Sequence, residues 1–337
     1  MRFPESYKSI GVPSLKYKEY ELVPIRYKDR KDIMKWRNEQ IYHLRQDKPL
    51  TEETQNIYFK NVISELFSQE KPSQLLFSFL KKEKCIGYGG LVHINWDERN
   101  AEISFIIDTL LEEKHFEEYW CLFIKFIKQL AFNELCFQKI YTCAFNVRPN
   151  LYIVLEENEL KREVETKTYA KPADKQKNII VHSTINSLSL RRVSIKDLNL
   201  TFKWANDKNI RKHSLNQEAI TILEHKKWFQ KRLADKDCMY YILRNQLNTA
   251  IGSIRIEKNQ EDASIISYLV DPKFHRNNYG STIIKLLEKK IVCLKRTKKT
   301  KLIGLVKSKN IASLRIFRKL NYQELESNNM HTFSKLV

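Results

Sequence analysis

The chain has 337 residues, 42% of them hydrophobic, which is the length of about two ordinary domains, each large enough to bury a core. Its apolar runs are short and broken by Lys, Glu or Asn, which excludes a bilayer-spanning helix, and Met1-Arg2-Phe3-Pro4-Glu5 lacks the apolar core of a signal peptide, so a cytoplasmic protein is expected. The formal charge of +20 is mostly lysine and spread along the chain, which argues against nucleic acid as the partner even though Lys and Arg gain affinity by displacing counterions from phosphates.

In chain order, Leu22-Val23-Pro24-Ile25-Arg26 leads through Asp29 to Trp36-Arg37-Asn38-Glu39. Leu50-Thr51 then runs to Tyr58-Phe59, Cys85-Ile86-Gly87 falls in a glycine-bearing strand, and Ser104-Phe105-Ile106-Ile107-Asp108 ends another. The second half answers each in the same order: Leu190-Arg191-Arg192-Val193 through Asp197 to Trp204-Ala205-Asn206-Asp207, Ile220-Thr221 to Trp228-Phe229, Ala250-Ile251-Gly252, and Ser267-Tyr268-Leu269-Val270-Asp271. The Asp-to-Trp spacing is the same in both, and the offset drifts only slightly, as small loop insertions would cause. Such self-similarity is the mark of a duplication.

The second copy is the more regular. A short strand (190–193) is followed by a helix around Trp204 and a second helix over 223–233 with Trp228, Phe229 and Leu233 on one face. Strands are predicted over 239–243, 250–257 and 263–270, separated by Asn, Gln and Asp clusters. After Asp271-Pro272 comes a polar loop, then a periodic helix through Ile283, Ile284, Leu286, Leu287 and Ile291. A buried strand (302–306), a helix (311–320) and closing strands (322–325 and 330–336) complete the order β-α-α-β-β-β-α-β-α-β-β.

Six cysteines show no C-x-x-C pairing and sit mostly in apolar stretches, so buried free thiols are expected rather than a zinc site or disulfides. Only 7 glycines occur, against roughly 7% in average usage, so those present are expected at left-handed angles or close approaches. The basic run Lys295-Arg296-Thr297-Lys298-Lys299-Thr300-Lys301 reads as a solvated helix end and loop, or as a patch receiving an anionic cofactor or nucleotide-linked substrate.

The loop Phe274-His275-Arg276-Asn277-Asn278-Tyr279-Gly280-Ser281 enters a helix, and a helix N-terminus offers unpaired N–H groups and a positive dipole end to a phosphate. Together with the buried strand and Asn310-x-x-Ser313-x-x-x-Phe317-x-x-x-Asn321-Tyr322, this segment resembles the core of the GNAT acetyltransferase superfamily. The family's loop pattern [Q/R]-x-x-G-x-[G/A] is met by His275 to Gly280, with His275 in place of Gln or Arg and Asn278 in place of the first Gly. The resemblance implies an α/β (α+β) fold of two tandem GNAT domains, 1–185 and 186–337, each a mixed, mostly antiparallel central sheet with a splayed parallel pair and flanking helices. It implies acetyl-CoA as cofactor, held by Tyr268, Leu269 and Val270 along the strand, by the loop from His275 to Ser281, and by Asn310, Ser313 and Phe317. Phe317 stands where many members carry a tyrosine that protonates the leaving thiolate, which leaves that role vacant or filled by another group.

More narrowly, Trp204-x-Asn206-Asp207, Ser214, His225-x-x-Trp228-Phe229 and Arg232-Leu233 look like acetyltransferases of amino-sugar nucleotides in bacterial surface-glycan pathways, a group that also carries Phe at the position of Phe317. The implied acceptor is the amine of a nucleotide-linked amino-deoxy sugar. In the first copy, Trp36-Arg37-Asn38, Glu102-Ile103-Ser104-Phe105 and Asp174-x-Gln176 to His182-Ser183 resemble ribosomal-protein acetyltransferases. Its stretch from Leu110 to Trp120, however, has no glycine and four carboxylates where a pyrophosphate should sit, Arg148 replaces Asn310, and Glu159-Leu160 replaces Asn321-Tyr322. This copy is therefore expected to be degenerate as a cofactor binder, with a role in building the acceptor site, holding a homodimer, or binding another acyl donor.

Acyl transfer to an amine needs a base, oxyanion donors and an acid for the leaving thiolate. Much of its acceleration can come from holding the two reactants together. A backbone N–H near Leu269 or Val270 is the expected oxyanion donor. His225 and Glu102 are the candidate catalytic groups, with core packing the alternative for His225 and an arginine ion pair the alternative for Glu102. Trp204, Asn206, Arg211 and Trp228 are the candidate acceptor contacts, the tryptophans having core packing as their alternative, and Asn310 doubles as a helix N-cap candidate. Two rivals stand beside the sugar reading: acetylation of a protein or peptide amine, and a non-catalytic scaffold of two drifted copies.

Overall fold

A computed structural model describes residues 3–169, 176–214, 216–259, 263–294 and 300–337. Most of the basic run after Leu294, and Asp174 of the first copy's tail, lie outside the described residues. The chain divides into two compact units, Met1–Asn186 and Ser187–Val337.

The N-terminal unit runs β1 (Leu15–Tyr17), β2 (Tyr20–Pro24), α1 (Arg30–Glu39), α2 (Glu52–Ile57), a π-helical turn (Tyr58–Ile63) and α3 (Ser64–Leu66). It continues through β3 (Leu75–Lys81), β4 (Lys84–Asn95), β5 (Asn100–Ile107), α4 (Thr109–Gln129), β6 (Lys139–Phe145), α5 (Pro149–Glu157), β7 (Lys161–Tyr169) and β8 (Gln176–Ile185). Its sheet has the order β1-β2-β3-β4-β5-β6-β8-β7, and β5 and β6 pair in parallel.

The C-terminal unit comprises β9 (Leu188–Arg192), α6 (Leu198–Asn206), α7 (Lys208–Arg211), α8 (Ile222–Ala234), β10 (Cys238–Asn245), β11 (Ala250–Lys258) and β12 (Ser264–Val270). Then follow α9 (Tyr279–Leu294), β13 (Lys301–Lys307), α10 (Ile311–Lys319), β14 (Gln323–Ser327) and β15 (Met330–Leu336). The predicted order holds, with the short α7 the one unexpected helix, and the sheet reads β14-β15-β13-β12-β11-β10-β9.

Side-chain alternation along β10 shows how the sheet is covered on both faces. Tyr240 and Ile242 join Trp204 of α6 and Phe229 of α8 in one core cluster. Tyr241, on the opposite face, lies under the Lys290 ammonium of α9 at 5.1 Å. The apolar stripe of α9, with Ile283, Ile284, Leu287 and Ile291 all buried, covers that second face.

In each unit the parallel pair splays open. β12 and β13 pair only at Ser264–Leu302, Ile265–Ile303 and Ile266–Gly304, after which β12 stays with β11 to Val270 and β13 stays with β15 to Lys307. β5 and β6 pair only at Asn100–Lys139, Ala101–Ile140 and Glu102–Tyr141 before they part. A wedge lined by backbone therefore opens between the strand ends, and what fills it differs between the units.

All six cysteines are free: Cys85, Cys136 and Cys238 are buried, Cys121 and Cys143 half-buried, and Cys293 is exposed, contrary to the expectation of burial for that one. Among the described residues no helix is long and apolar enough to cross a membrane. Nor is any group of three His, Cys, Asp or Glu side chains placed to hold a metal ion.

Candidate functional site

The C-terminal wedge leads into the loop from Asp271 to Asn278. The Asp271 carboxylate accepts from the Lys273 N–H at 2.9 Å and from the Trp204 indole N–H at 2.6 Å, so a buried tryptophan of α6 anchors the start of the loop. His275 Nε2 donates to the Val270 carbonyl at 2.9 Å and draws the loop back onto the end of β12. Arg276 (φ 62°) and Asn278 (φ 63°) take left-handed angles. Asn278 stands where the family carries glycine, and asparagine is the residue that best tolerates that conformation in glycine's place.

From Asn278 the chain enters α9, whose first-turn N–H groups have no acceptor within the helix itself. Ser281 Oγ donates to the Asn278 carbonyl (2.9 Å) and to its Oδ1 (2.6 Å), and Thr282 N donates to the same carbonyl at 3.2 Å. The Lys319 ammonium of α10 lies 3.5 Å from Asn278 Oδ1. Gly280 has an ordinary φ; a Cβ there would meet Ile316 Cδ1 at 2.6 Å and Tyr268 Cε2 at 3.6 Å. Its smallness therefore seats α9 against α10 and β12, which is a packing reason and not the approach of an anion.

Across the wedge, the Tyr268 hydroxyl of β12 and Ser313 Oγ of α10 lie 2.9 Å apart, and burial pushes the phenol up to about 12, so it stays protonated. Asn310 caps α10, accepting from Ser313 N at 3.2 Å through Oδ1, which leaves its Nδ2 without a partner among the described residues. Burial, joined by Lys212, His275 and Lys307, holds His213 below its ordinary range, and the two lysines bring positive charge near the loop. Strand, loop, Asn310 and Ser313 thus converge on one wedge.

Other predicted site residues do not reach it. Phe317 is 1% exposed, stacked on Phe333 at 5.0 Å and pressed against Gly304, so it is core and not a cofactor contact. The Tyr279 ring is buried too and packs edge-on against Phe274, leaving only its backbone in the loop. Trp204 is 1% exposed within the core cluster. Trp228 packs beside that cluster with the Arg255 guanidinium 4.8 Å above its ring. Neither tryptophan lines an acceptor pocket.

His225 is a core histidine. The Thr201 hydroxyl donates to the Asp197 carbonyl (3.0 Å), and so accepts from His225 Nε2 (3.0 Å), while Phe202, Trp228 and Phe229 surround the ring and burial lowers its pKa. It is not placed as a base. Asn206 clamps backbone: Nδ2 donates to the Ile220 carbonyl (2.9 Å) and Oδ1 accepts from Ile220 N (2.9 Å). Arg211 Nε donates to the Glu218 carbonyl at 2.6 Å, pinning the same loop.

In the N-terminal unit the residues answering the loop are already helical. α4 begins at Thr109, immediately after its N-cap Asp108, and kinks at His115 (φ −130°, ψ 20°). Arg148, in Asn310's place before α5, pairs with Glu112, stacks 5.1 Å from Phe116 and approaches His43, whose pKa burial and this guanidinium push down to about 3. That ion pair stands where the C-terminal unit carries its loop.

Glu102 takes the arginine alternative: Arg45 Nη2 lies 2.8 Å from Oε1 and Nη1 3.3 Å from Oε2, with His93 Nε2 3.8 Å away. It borders a cavity of about 450 Å³ also lined by Arg37, Ser104, Trp120 and Thr142, residues that sequence reasoning missed. The signal available was the difference between copies, since Arg37 and Tyr88 touch in one copy where the other has Ala205 and Ser253.

Residues 22–158 match a family model described as an acetyltransferase (GNAT) domain, and residues 187–323 match a second model of the same description. Similar solved structures include a domain from Methanocaldococcus jannaschii at 18% identity, covering 45% of this chain and 99% of that one with a TM-score of 0.40. Spermidine N-acetyltransferase from Vibrio cholerae in complex with CoA and spermine is 14% identical, covering 44% of this chain and 94% of that one with a TM-score of 0.39. The aminoglycoside acetyltransferase AAC(6')-Ib in complex with coenzyme A and kanamycin gives the same four figures: 14%, 44%, 94% and 0.39. No curated protein matches the chain.

Proposed function

Because this chain belongs to the GNAT acetyltransferases, with one such domain in each half, we propose that its C-terminal unit is the acetyl-CoA-dependent N-acetyltransferase and that its N-terminal unit does not bind the coenzyme. The observation that carries the assignment is the contrast between the two wedges. One opens onto a loop with Asn278 at a left-handed angle and basic groups around it; the other meets a helix and a closed Glu112–Arg148 pair. Acetyl-CoA, when bound, supplies the activated acyl group. The loop backbone from Arg276 to Ser281 holds its diphosphate, Asn310 Nδ2 and the open edge of β12 hold the pantetheine arm, and an N–H near Leu269 or Val270 faces the carbonyl oxygen. With Phe317 sealed in the core, the Tyr268 hydroxyl, held by Ser313, is the proton source for the thiolate.

The acceptor is an amine on a nucleotide-linked amino-deoxy sugar. Trp204, Asn206 and Trp228, which carry the resemblance to that group, are scaffold, so the reading rests instead on the basic surroundings of His213, where Lys212 and Lys307 suit an anionic nucleotide. Arg276 is exposed, so Arg276→Glu tests the site without disturbing packing. Isothermal titration of the full chain with acetyl-CoA is expected to give one site, weakened at least tenfold by this charge reversal. Two sites, or an unchanged affinity, would overturn the division of labour. Mass transfer of acetyl to a UDP- or CMP-linked amino sugar with peptides inert supports the acceptor class, and the reverse result assigns a peptide amine.

A further inference from the structure

The N-terminal wedge is closed to a coenzyme but it is not solid. Its cavity of about 450 Å³ falls within the range of about 300–1,000 Å³ in which small-molecule sites are found. Its walls include the apolar side chains of Ile103, Phe105 and Leu151. What sets its ligand is a count of charge.

Arg148 is neutralised by Glu112 and Arg45 by Glu102. His43, with its pKa near 3, is uncharged at neutral pH. Arg37 is different. Its Nε donates to Gln46 Oε1 at 2.8 Å and its Nη1 to the Tyr88 hydroxyl at 2.7 Å, both neutral, and among the described residues no carboxylate lies within ion-pair distance and Nη2 has no acceptor. A guanidinium does not shed its proton, and a half-buried cation without a counter-charge is costly. The negative end of α1 offsets part of that charge, but only as a partial one. A second observation comes from the same cavity wall: the Trp120 indole N–H and the Thr142 hydroxyl are buried with no partner among the described residues, the condition of polar groups in a binding site without its occupant.

One uncompensated positive charge beside apolar walls selects a monoanion with an apolar body. We propose that the N-terminal cleft is a binding site for a small monocarboxylic acid, with the carboxylate on Arg37 and the hydrocarbon in the wedge between β5 and β6. A phosphate monoester would bring a second negative charge that this wall does not match. The Arg37–Tyr88 contact, replaced in the other copy by Ala205 and Ser253 together, is then a specialisation of the first copy and not a residue of decay.

The full chain is titrated calorimetrically with straight-chain acids from butanoate to decanoate and with phenylacetate, with the alcohols of the same chain lengths and inorganic phosphate as controls. At least one acid is expected to bind once per chain and to raise the melting temperature, while the alcohols and phosphate do neither. Arg37→Met is expected to weaken that acid at least tenfold, Arg37→Lys by less, and Ser104→Ile, which fills the cavity, to abolish binding. No binding across the series, phosphate or an alcohol binding as well as the acid, or affinity unchanged in Arg37→Met would each overturn the site. Displacement of the acid by acetyl-CoA would overturn it as well, since it would put the acid in the C-terminal wedge.

Discussion

Asn206 and Asn38 do the same work in the two copies: each uses both ends of its amide on the backbone of one loop residue, Ile220 in one case and Leu50 in the other. The residue that follows, Thr221 or Thr51, then caps the next helix through a capping box. Asn206→Ala removes two hydrogen bonds and strands a half-buried donor and acceptor, a loss of about 1–2 kcal/mol. Thermal melts should show a Tm several degrees lower with the acetyl-CoA affinity unchanged; a rise in acceptor KM at unaltered Tm would instead restore Asn206 to the acceptor pocket. The repeated Asp, Trp and Asn were legible as a duplication, but repetition marks what the scaffold needs in both copies and says nothing of catalysis. Asp29 is paired with Arg26, Asp197 with Arg191, and both aspartates are buried. His225 takes its packing alternative, which the sequence leaves open because periodicity places it on a helix face without saying whether that face meets a cleft or a core. Its counterpart in the first copy, Gln55, is also buried and also bonded, to the Arg30 carbonyl at 3.1 Å, which is the signal that this position ties two helices together.

At the scale of elements, the wedge of the C-terminal unit depends on how closely α10 approaches β13. Gly304 allows the contact, since a Cβ there would lie 2.4 Å from Phe317 Cζ, and the ring has nowhere to go between Phe333 and Tyr322. Gly304→Ala overpacks this contact and should cost about 1–3 kcal/mol, read as a lower urea midpoint at an unchanged m-value. A midpoint equal to that of the parent would mean that α10 slides freely on the sheet. Strands and helices of this unit were legible almost to their ends because each has one apolar period and a polar break. The loop was legible as a loop for the same reason. What replaces it in the first copy was not: Leu110 to Trp120 shows only the missing glycine and four carboxylates, yet the segment is helix from Thr109 onward, and Glu112 is the partner of Arg148. A pairing across the wedge leaves no local pattern in either segment.

For the molecule as a whole, these buried side chains set a common direction of response to pH. Burial, the largest cause in each case, holds His43, His182 and His225 below the ordinary value near 6.5, with the Arg148 charge adding to the effect at His43. The folded chain therefore binds fewer protons than the unfolded chain once the pH falls below about 6.5, so the contribution of these groups is complete above that value and is lost below it. His43, down near 3, gives an upper bound of about 2 kcal/mol lost by pH 5, from roughly 1.4 kcal/mol per unit over 1.5 units. Asp197, Glu163 and Glu324 are also held below their ordinary values, by Arg191, Lys139 and Arg318, and their contribution, present above the ordinary carboxylate range, disappears on further acidification. Both sets push the same way. Melting temperature should be level between pH 7 and 8, fall from about 6.5 downward, and fall again below about 4.5; His43→Gln should flatten the first step without touching the second. A melting temperature that held steady or rose from pH 7 to 5 would mean that these imidazoles accept protons in the folded chain as readily as in water, and the packing described around His43 and His225 would have to be wrong.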